Sequence, residues 1–202
     1  MEGMNVFWRQ KPLPAQQAKL LELVLDAHSK SAARGNISTV VICNAGVGSG
    51  NYMSAIAAGL CSVGAVHAPL AQVWQFLMQF NADDVGELAR HIEMGGKIPG
   101  WGSDFFKDGP DSLWKGVADQ IAELAPKWSE KIGRVTDELH ARGKMIHPNP
   151  ACYTAVSAII LEIPPPLIGW LFIRGRLDTW SAAFYQALAA QNAPKQKEGV
   201  LV

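Results

Sequence analysis

Residues 95–111 read GGKIPGWGSDFFKDGPD, and their glycine and proline content separates them from the rest of the chain. Three glycines and one proline fall within the first six positions. Neither a helix nor a half-buried strand tolerates this composition, because both residue types disfavour a regular backbone. The stretch is therefore predicted to be a structured loop, and we ask whether it binds a ligand.

The sequence on both sides of this loop predicts helices. Apolar residues recur at helical spacing, Pro14 suits a first helical turn, and Gly35 suits a helix end. Residues 38–45 are apolar and β-branched, so they fit either a strand or a buried helix. The predicted helices are residues 14–35, 51–60, 69–80, 83–94, 112–125 with Ser112 as N-cap, 126–142, 154–162, 167–173 and 179–190.

This pattern predicts an all-α fold with short connections, formed by one domain of 202 residues. The domain is predicted to comprise helices that carry His67 (14–95), the loop (96–111), C-terminal helices (112–190) and a frayed tail (191–202).

Charge and cysteine usage exclude several classes of protein. Eighteen basic side chains balance eighteen acidic ones, so neither nucleic acid nor a membrane surface is a predicted partner. The apolar run 158–170 is interrupted by Glu162 and three prolines, and it is too short to span a bilayer. Three separated cysteines without a CxxC pair predict neither a disulfide framework nor a zinc site, and they fit a cytoplasmic location.

Two further patterns give weak signals. Residues 46–51, GVGSGN, imitate a phosphate-binding turn, but the glycine spacing is short and no acidic residue follows at the distance that a ribose needs. A plain turn between buried segments is the alternative. The histidines share no short spacing, so no metal site is predicted.

His67 and Arg176 are the first candidates for chemistry. His67 precedes Pro69 at the start of a predicted helix, where its imidazole could donate into a cavity or remain a satisfied, partly buried histidine. Arg174 and Arg176 follow an apolar segment, and arginine is well suited to bidentate carboxylate binding. Alternatively, these arginines pair with Asp178 or Glu162.

Four separated segments together resemble the citrate synthase family in order and spacing. They are SAIAAGLCSVGAVHAPLAQ (54–72), GGKIPGWGSDFFKDGPD (95–111), HPNPACY (147–153) and LFIRGRLDTWSAAFYQAL (171–188). KIPGWG and LFIRGR are the most specific matches, and the resemblance covers roughly residues 50–190. It implies a citrate synthase-like helical bundle that lacks much of the family's N-terminal region.

The resemblance also implies a chemistry, the condensation of an acyl-CoA with a 2-oxo acid or its reverse. Carried over residue by residue, His67 matches the histidine that stabilises the enol, and Arg176 matches an arginine that binds a substrate carboxylate. His28 matches a further substrate histidine only with a small insertion before Asn36. The residues that match the coenzyme A loop are Lys97, Ile98, Pro99, Gly100 and Gly102.

Other family positions carry different residues here. Ser103 stands where the family has the ketone-polarising histidine, Ala151 where it has the carboxylate base, and Asp111 where it has a second substrate arginine. Losing a general base costs about 10²–10⁴-fold in rate, so ordinary citrate synthesis is not expected. Asp104, beside Ser103, is the first candidate for a replacement base, followed by His147, Asp178 and Cys152.

Two functions remain open from the sequence. One is a divergent enzyme that uses enolate chemistry on an acyl-CoA or a related carboxylated substrate, in a condensation, lyase or isomerisation reaction. The other is a non-catalytic subunit that binds a ligand or a partner. A coenzyme A thioester is the expected substrate, and no tightly bound cofactor is expected. Apolar segments such as 73–80 predict a homodimer, a larger oligomer or a complementary subunit.

Overall fold

The computed structural model describes residues 6–63, 69–81, 85–103 and 109–193, and within these ranges the fold is all-α, as predicted. Two short 3-10 helices (Ser112–Trp114 and Pro165–Leu167) complete the regular structure of the described residues. The α-helices are α1 (Ala15–Ala33), α2 (Ile37–Ser49), α3 (Tyr52–Cys61), α4 (Leu70–Gln79), α5 (Val85–Glu93), α6 (Lys115–Leu124), α7 (Pro126–Ala141), α8 (Pro150–Ile160) and α9 (Ile168–Asn192).

Helices α1 and α9 form the centre of the bundle. The buried side chains of α1 include Leu20, Leu21 and Val24, which recur at helical spacing and face α9 and α6. The two helices approach closely at Gly175, where an added Cβ would lie 2.6 Å from the Cβ of His28 and 2.9 Å from the Leu25 carbonyl oxygen. Only a glycine allows this contact, so the sequence RGR fixes where the two helices cross.

Helix α9 is longer than the sequence predicts. Two separate helices, 167–173 and 179–190, are expected, but one helix runs from Ile168 to Asn192 through Arg174-Gly175-Arg176. Glycine weakens an isolated helix by about 1 kcal/mol relative to alanine, and here the packing of Gly175 against α1 compensates for that loss. Tertiary contact therefore overrides a local helix-breaking signal.

The glycine run 46–51 does not form a phosphate-binding turn. Residues 37–49 are a single helix that includes the ambiguous segment 38–45, and Gly46 is buried within it. The Asn36 side chain accepts a hydrogen bond from the Thr39 amide and begins α2, and Gly50 ends it in the left-handed conformation. The weak match to a nucleotide-binding turn is therefore wrong, and the alternative, a plain turn, holds only for Gly50 and Asn51, because residues 46–49 belong to α2.

Two predicted helix starts are also corrected. Asp111 rather than Ser112 caps the 3-10 turn that precedes α6, because its carboxylate accepts from the Leu113 amide at 3.1 Å. Helix α8 begins at Pro150 rather than Thr154, since Asn149 caps its first turn. No helix in the described ranges is both long enough and apolar enough to cross a membrane.

The apolar residues of segment 73–80 lie mostly inside the fold. Val73 and Leu77 are fully buried, Phe76 packs on Trp101, and the exposed side chains are Met78 and two glutamines. The segment therefore does not provide the exposed apolar surface on which the predicted oligomer depends. An exposed apolar face lies instead on α2 and α3, formed by Ile37, Val40, Val47, Met53 and Leu60.

We expect Gly175→Ala to lower the free energy of unfolding by about 1–3 kcal/mol, because the added methyl group forces α1 and α9 apart. Gly133→Ala is the matched control, since Gly133 lies within α7 and an added Cβ meets nothing within 4 Å. The control should leave stability unchanged or raise it by up to about 1 kcal/mol. Urea denaturation of both variants measures the difference, and equal effects would contradict the role given to the helix crossing.

Candidate functional site

The predicted coenzyme A loop is held by the segment that precedes α8. The Gly102 amide donates to the His147 carbonyl oxygen and the Asn149 amide donates to the Gly100 carbonyl oxygen, both at 2.9 Å. The Asn149 side-chain amide donates to the Gly102 carbonyl oxygen, also at 2.9 Å. Trp101 is buried beneath the loop, and its indole nitrogen donates to Thr136 at 3.0 Å. These contacts fix the backbone of the KIPGWG motif.

Glycine is required at two positions of this loop. Gly100 and Gly102 have φ angles of +89° and +85°, which residues with a side chain rarely adopt. A Cβ on Gly100 would also lie 2.9 Å from a methyl carbon of Val73. Ile98 is buried beneath the loop, whereas Lys97 is exposed. The loop thus presents backbone and one basic side chain outward over an apolar base.

His28 lies at the centre of a second cluster and is fully buried. Its Nε2 lies 2.9 Å from the Thr154 hydroxyl, which donates its single proton to the Pro150 carbonyl oxygen at 2.7 Å. The imidazole must therefore donate through Nε2, which leaves Nδ1 as an acceptor. Burial, and secondarily the charge of Arg176, hold the pKa of His28 well below its ordinary value, so the ring is neutral near pH 7.

Arg176 is a buried cation without a carboxylate partner in the part of the chain that the structure describes. Its guanidinium carbon lies 3.8 Å from the ring centre of Phe172, and Nη1 donates to the Ser38 hydroxyl at 3.0 Å. Its Nε has no hydrogen-bond partner among the described residues. Burial lowers the pKa of Arg176 to about 9, because desolvation disfavours the charged form.

Arg174, two residues away, has a different environment. It pairs with Asp178 at 3.6 Å on the surface, and the Asp178 side chain is 89% exposed. Glu162 pairs with Arg9 at 3.3 Å rather than with either arginine of α9. Surface pairing therefore accounts for Arg174, but it does not account for Arg176.

Asp111 is buried and bound to an arginine from another element. Arg34, at the C-terminal end of α1, places Nη1 3.1 Å from Asp111 Oδ1. The charge of Arg34 compensates that of Asp111, so the replacement of a family arginine by aspartate does not leave an isolated negative charge. The second oxygen, Oδ2, is buried without a hydrogen-bond partner within the described ranges.

Helix α8 connects the two clusters. Asn149 caps its first turn and holds the loop, and Thr154, one turn later, holds His28. Ala151, which stands at the position of the family's base, lies in this first turn and is half-buried. Ser103 follows directly after Gly102 and is also half-buried. Both positions therefore lie near the junction of the loop with α8.

The structure removes two of the candidate bases. Asp178 is an exposed partner of Arg174 and does not reach the buried cluster. Cys152 is fully buried, and burial raises the pKa of its thiol, so a thiolate is unfavourable there. His147 is half-buried beside His140, with ring centres 5.0 Å apart, and its backbone holds the loop. His67 and Asp104 lie outside the described residues.

Sequence reasoning missed several residues that form the buried cluster. Thr154 holds His28 across 126 positions of the chain, and Phe172 is close to Arg176 in sequence but is apolar, so neither stands out as a site residue. Trp114, whose ring lies edge-on to His28 at 4.9 Å, is a similar case. The ion pair of Arg34 could have been expected from the sequence, because a basic residue at a helix end can bind an acidic group from a neighbouring element.

Comparison with known proteins gives a consistent result for the fold. The chain superposes on a citryl-CoA lyase from Hydrogenobacter thermophilus with a TM-score of 0.77 and 19% identity, covering 95% of this chain and 78% of that one. A citrate synthase from Thermotoga maritima gives 0.76 and 21% identity, covering 86% of this chain and 50% of the other.

A third solved structure is a citrate synthase from the archaeon Thermoplasma acidophilum, in a ternary complex with carboxymethyl coenzyme A and oxaloacetate. It gives a TM-score of 0.74 and 20% identity, covering 95% of this chain and 54% of that one. The chain thus spans about half the length of the two citrate synthases. No curated protein matches the chain in sequence.

The family model for the citrate synthase C-terminal domain matches residues 3–195. This match covers nearly the whole chain, and it agrees with the motifs in the loop and in α9. The chain belongs to the citrate synthase family.

Proposed function

We propose that this chain is a divergent citrate synthase-like enzyme that acts on an acyl-CoA or a related carboxylated substrate through an enolate. One observation carries the proposal: Arg176 is buried and charged, and no described residue provides a carboxylate for it. A buried cation without a partner is costly, because its lost hydration is not replaced. A ligand carboxylate would supply the missing charge and the hydrogen bond for Nε.

The roles of the other site residues follow from their chemistry. His28 lies against the same aromatic group as Arg176, and its neutral ring offers an acceptor to the bound ligand. In this proposal His67 donates a hydrogen bond to the enolate oxygen, and Asp104 removes the α-proton. Ser103 stands in for the family's ketone-polarising histidine, as a weaker donor. The reaction is a carbon–carbon condensation, a lyase reaction or an isomerisation, rather than ordinary citrate synthesis.

Coenzyme A is the proposed carrier of the acyl group and would be a substrate rather than a tightly bound cofactor. The loop Lys97–Gly102 supports this, because its glycines let a ligand approach the backbone and its conformation is fixed by Asn149. The Thermoplasma citrate synthase is bound to a coenzyme A analogue. The three cysteines are free, and we retain the cytoplasm as the proposed location.

A non-catalytic binding subunit is the second candidate function. It is favoured by Ala151, which cannot act as a base, and by the removal of Asp178 and Cys152 as replacements. The fold and the carboxylate site would then serve binding alone. The two candidates differ only in whether a base reaches the α-carbon of the thioester.

We also propose that two copies associate through the exposed apolar face of α2 and α3. This face carries Ile37, Val40, Val47, Met53 and Leu60, which are between 38% and 70% exposed. Exposed apolar side chains on two neighbouring helices are typical of an interface. The two helices contact each other and α9.

Replacing Arg176 by Met tests the carboxylate site. We expect the affinity for oxaloacetate, measured by calorimetry, to fall about 10–100-fold, because charge-assisted hydrogen bonds are lost. Stability should stay within about 1 kcal/mol or rise, since Met removes an unpaired buried charge. Arg174→Met, on the exposed face of the same helix, is the control and should bind normally. Unchanged binding together with a large loss of stability would indicate a purely structural arginine.

Exchange of the α-protons of acetyl-CoA in deuterated water separates the two functions. The wild type should exchange these protons, and His67→Ala and Asp104→Asn should lower the rate by at least about 10²-fold. Asp178→Asn is the control carboxylate and should exchange at the wild-type rate. Absence of exchange in the wild type would reject the enzyme in favour of the binding subunit.

Val40→Asp should convert the dimer to a monomer in sedimentation experiments, because it buries a charge in the apolar interface. Met145→Asp, at an exposed methionine outside α2 and α3, should leave the mass unchanged. A monomeric wild type at micromolar concentration would contradict the homodimer and leave a complementary subunit as the proposed partner.

A further inference from the structure

Five side chains form a buried polar seam (His28, Ser31, Asp111, Trp114 and Arg176) in which each has an atom without a hydrogen-bond partner in the described structure. These atoms are His28 Nδ1, Ser31 Oγ, Asp111 Oδ2, Trp114 Nε1 and Arg176 Nε. Buried polar atoms of native proteins are nearly always paired, and leaving one unpaired costs about 1–3 kcal/mol. Five such atoms on residues joined by contacts indicate a place where a polar ligand binds.

Two paths of contacts join the two ends of this polar seam. His28 and Ser31 on α1 and Arg34, the residue that follows its last turn, are three residues apart, so each neighbours the next along the same helix face. Arg34 then binds Asp111. Independently, Asp111 begins the 3-10 turn that carries Trp114, and the Trp114 ring contacts His28. The six residues from His28 to Arg34 span roughly 9 Å of helix axis, which a short ligand and its hydrogen bonds can bridge.

The two ends of the polar seam differ in what they can bind. Arginine only donates hydrogen bonds, so Arg176 requires an acceptor such as a carboxylate. Oδ2 of an ionised Asp111 only accepts, and the other oxygen already accepts from Arg34 and from the Leu113 amide. The end of the polar seam at Asp111 therefore requires a ligand that donates. His28 Nδ1, at the other end beside Arg176, also accepts, because its Nε2 donates to Thr154.

An oxo acid meets only half of these requirements. Its carboxylate suits Arg176 and its ketone oxygen could accept from Trp114 Nε1, but it has no proton to offer to Asp111 Oδ2, which would stay unpaired. A hydroxyl or amino group has the necessary proton. Because a site with a buried polar group strongly rejects a ligand that leaves that group unpaired, the difference should be measurable as selectivity.

We propose that the polar seam selects a small carboxylate that carries a hydroxyl or amino group over the corresponding oxo acid. The carboxylate binds Arg176 and the donor group binds Asp111, which makes Asp111 a specificity-determining residue. This inference rests on the proposed carboxylate site at Arg176 and adds the chemical class of its ligand.

The test compares matched ligands in calorimetry at neutral pH. The four-carbon set is oxaloacetate, L-malate and L-aspartate, and the five-carbon set is 2-oxoglutarate, 2-hydroxyglutarate and L-glutamate. We expect the hydroxy or amino member of at least one set to bind the wild type about 10–100-fold more tightly than its oxo member. Comparing the hydroxy with the amino member identifies which donor is preferred.

The Asp111→Asn variant tests whether Asp111 causes the preference for the hydroxy or amino member. The amide can still accept from Arg34 and Leu113, but it places a donor where Oδ2 lay, so the preference should disappear or reverse in favour of the oxo acid. Asp178→Asn is the surface control and should keep the wild-type preference. If Asp111→Asn does not fold, Ser31→Ala is the second variant. It should weaken the binding of the hydroxy or amino member several-fold.

The outcomes distinguish the inference from the function on which it rests. If the wild type binds oxo acids as tightly as their hydroxy and amino counterparts, and Arg176→Met abolishes that binding, the inference is overturned and the carboxylate site stands. If none of the six compounds binds the wild type, both are overturned. A wild-type preference that persists unchanged in Asp111→Asn and Ser31→Ala also overturns the inference.

Discussion

The crossing of α1 and α9 at Gly175 is the contact on which the candidate site depends. With no side chain at this position, α9 lies close enough to α1 for its backbone to touch His28 and Leu25. The residue after Gly175 is Arg176, so the same crossing brings a guanidinium and an imidazole against one aromatic ring, Phe172. A methyl group at residue 175 would separate these groups without changing any of them. The chemistry of the site is therefore set by a packing constraint.

The first turn of α8 has a comparable role for the loop. Asn149 satisfies the amides at the start of this helix and also donates to the backbone of Gly102. Thr154, in the next turn, fixes the orientation and the tautomer of His28. One short helical segment thus positions both the proposed coenzyme A loop and the proposed carboxylate site.

Two residues that differ from the family pattern have defined surroundings in the structure. Asp111, which stands where the family has an arginine, is buried with Arg34 beside it, so its charge is balanced by another element. Ala151, which stands where the family has a carboxylate, is half-buried in the first turn of α8. In the proposed site, Arg176 would bind a ligand carboxylate and Asp111 would accept a hydrogen bond from the ligand.

Much of the fold was predictable from the sequence, and the errors have physical causes. Helical periodicity and the helix stop at Gly35 are local signals, and most of the predicted helices lie where expected within one to four residues. The break predicted at Gly175 was wrong because glycine is locally unfavourable in a helix but necessary in a close crossing. The prediction of a turn over the glycine run 46–51 was wrong for a similar reason, since the burial of one face of α2 outweighs the weak helix propensity of its glycines.

The sequence by itself determined the family, the all-α class and the position of the loop, and it singled out Arg176 as a candidate, because these depend on residue types in a fixed order. The tertiary structure decided which charges meet. It paired Arg174 and Asp178 at the surface, joined Arg34 to Asp111 across 77 positions, and left Arg176 buried without an acid in the described ranges. Spacing along a chain cannot reveal such pairings, since the cost of a buried charge depends on neighbours that only folding brings together.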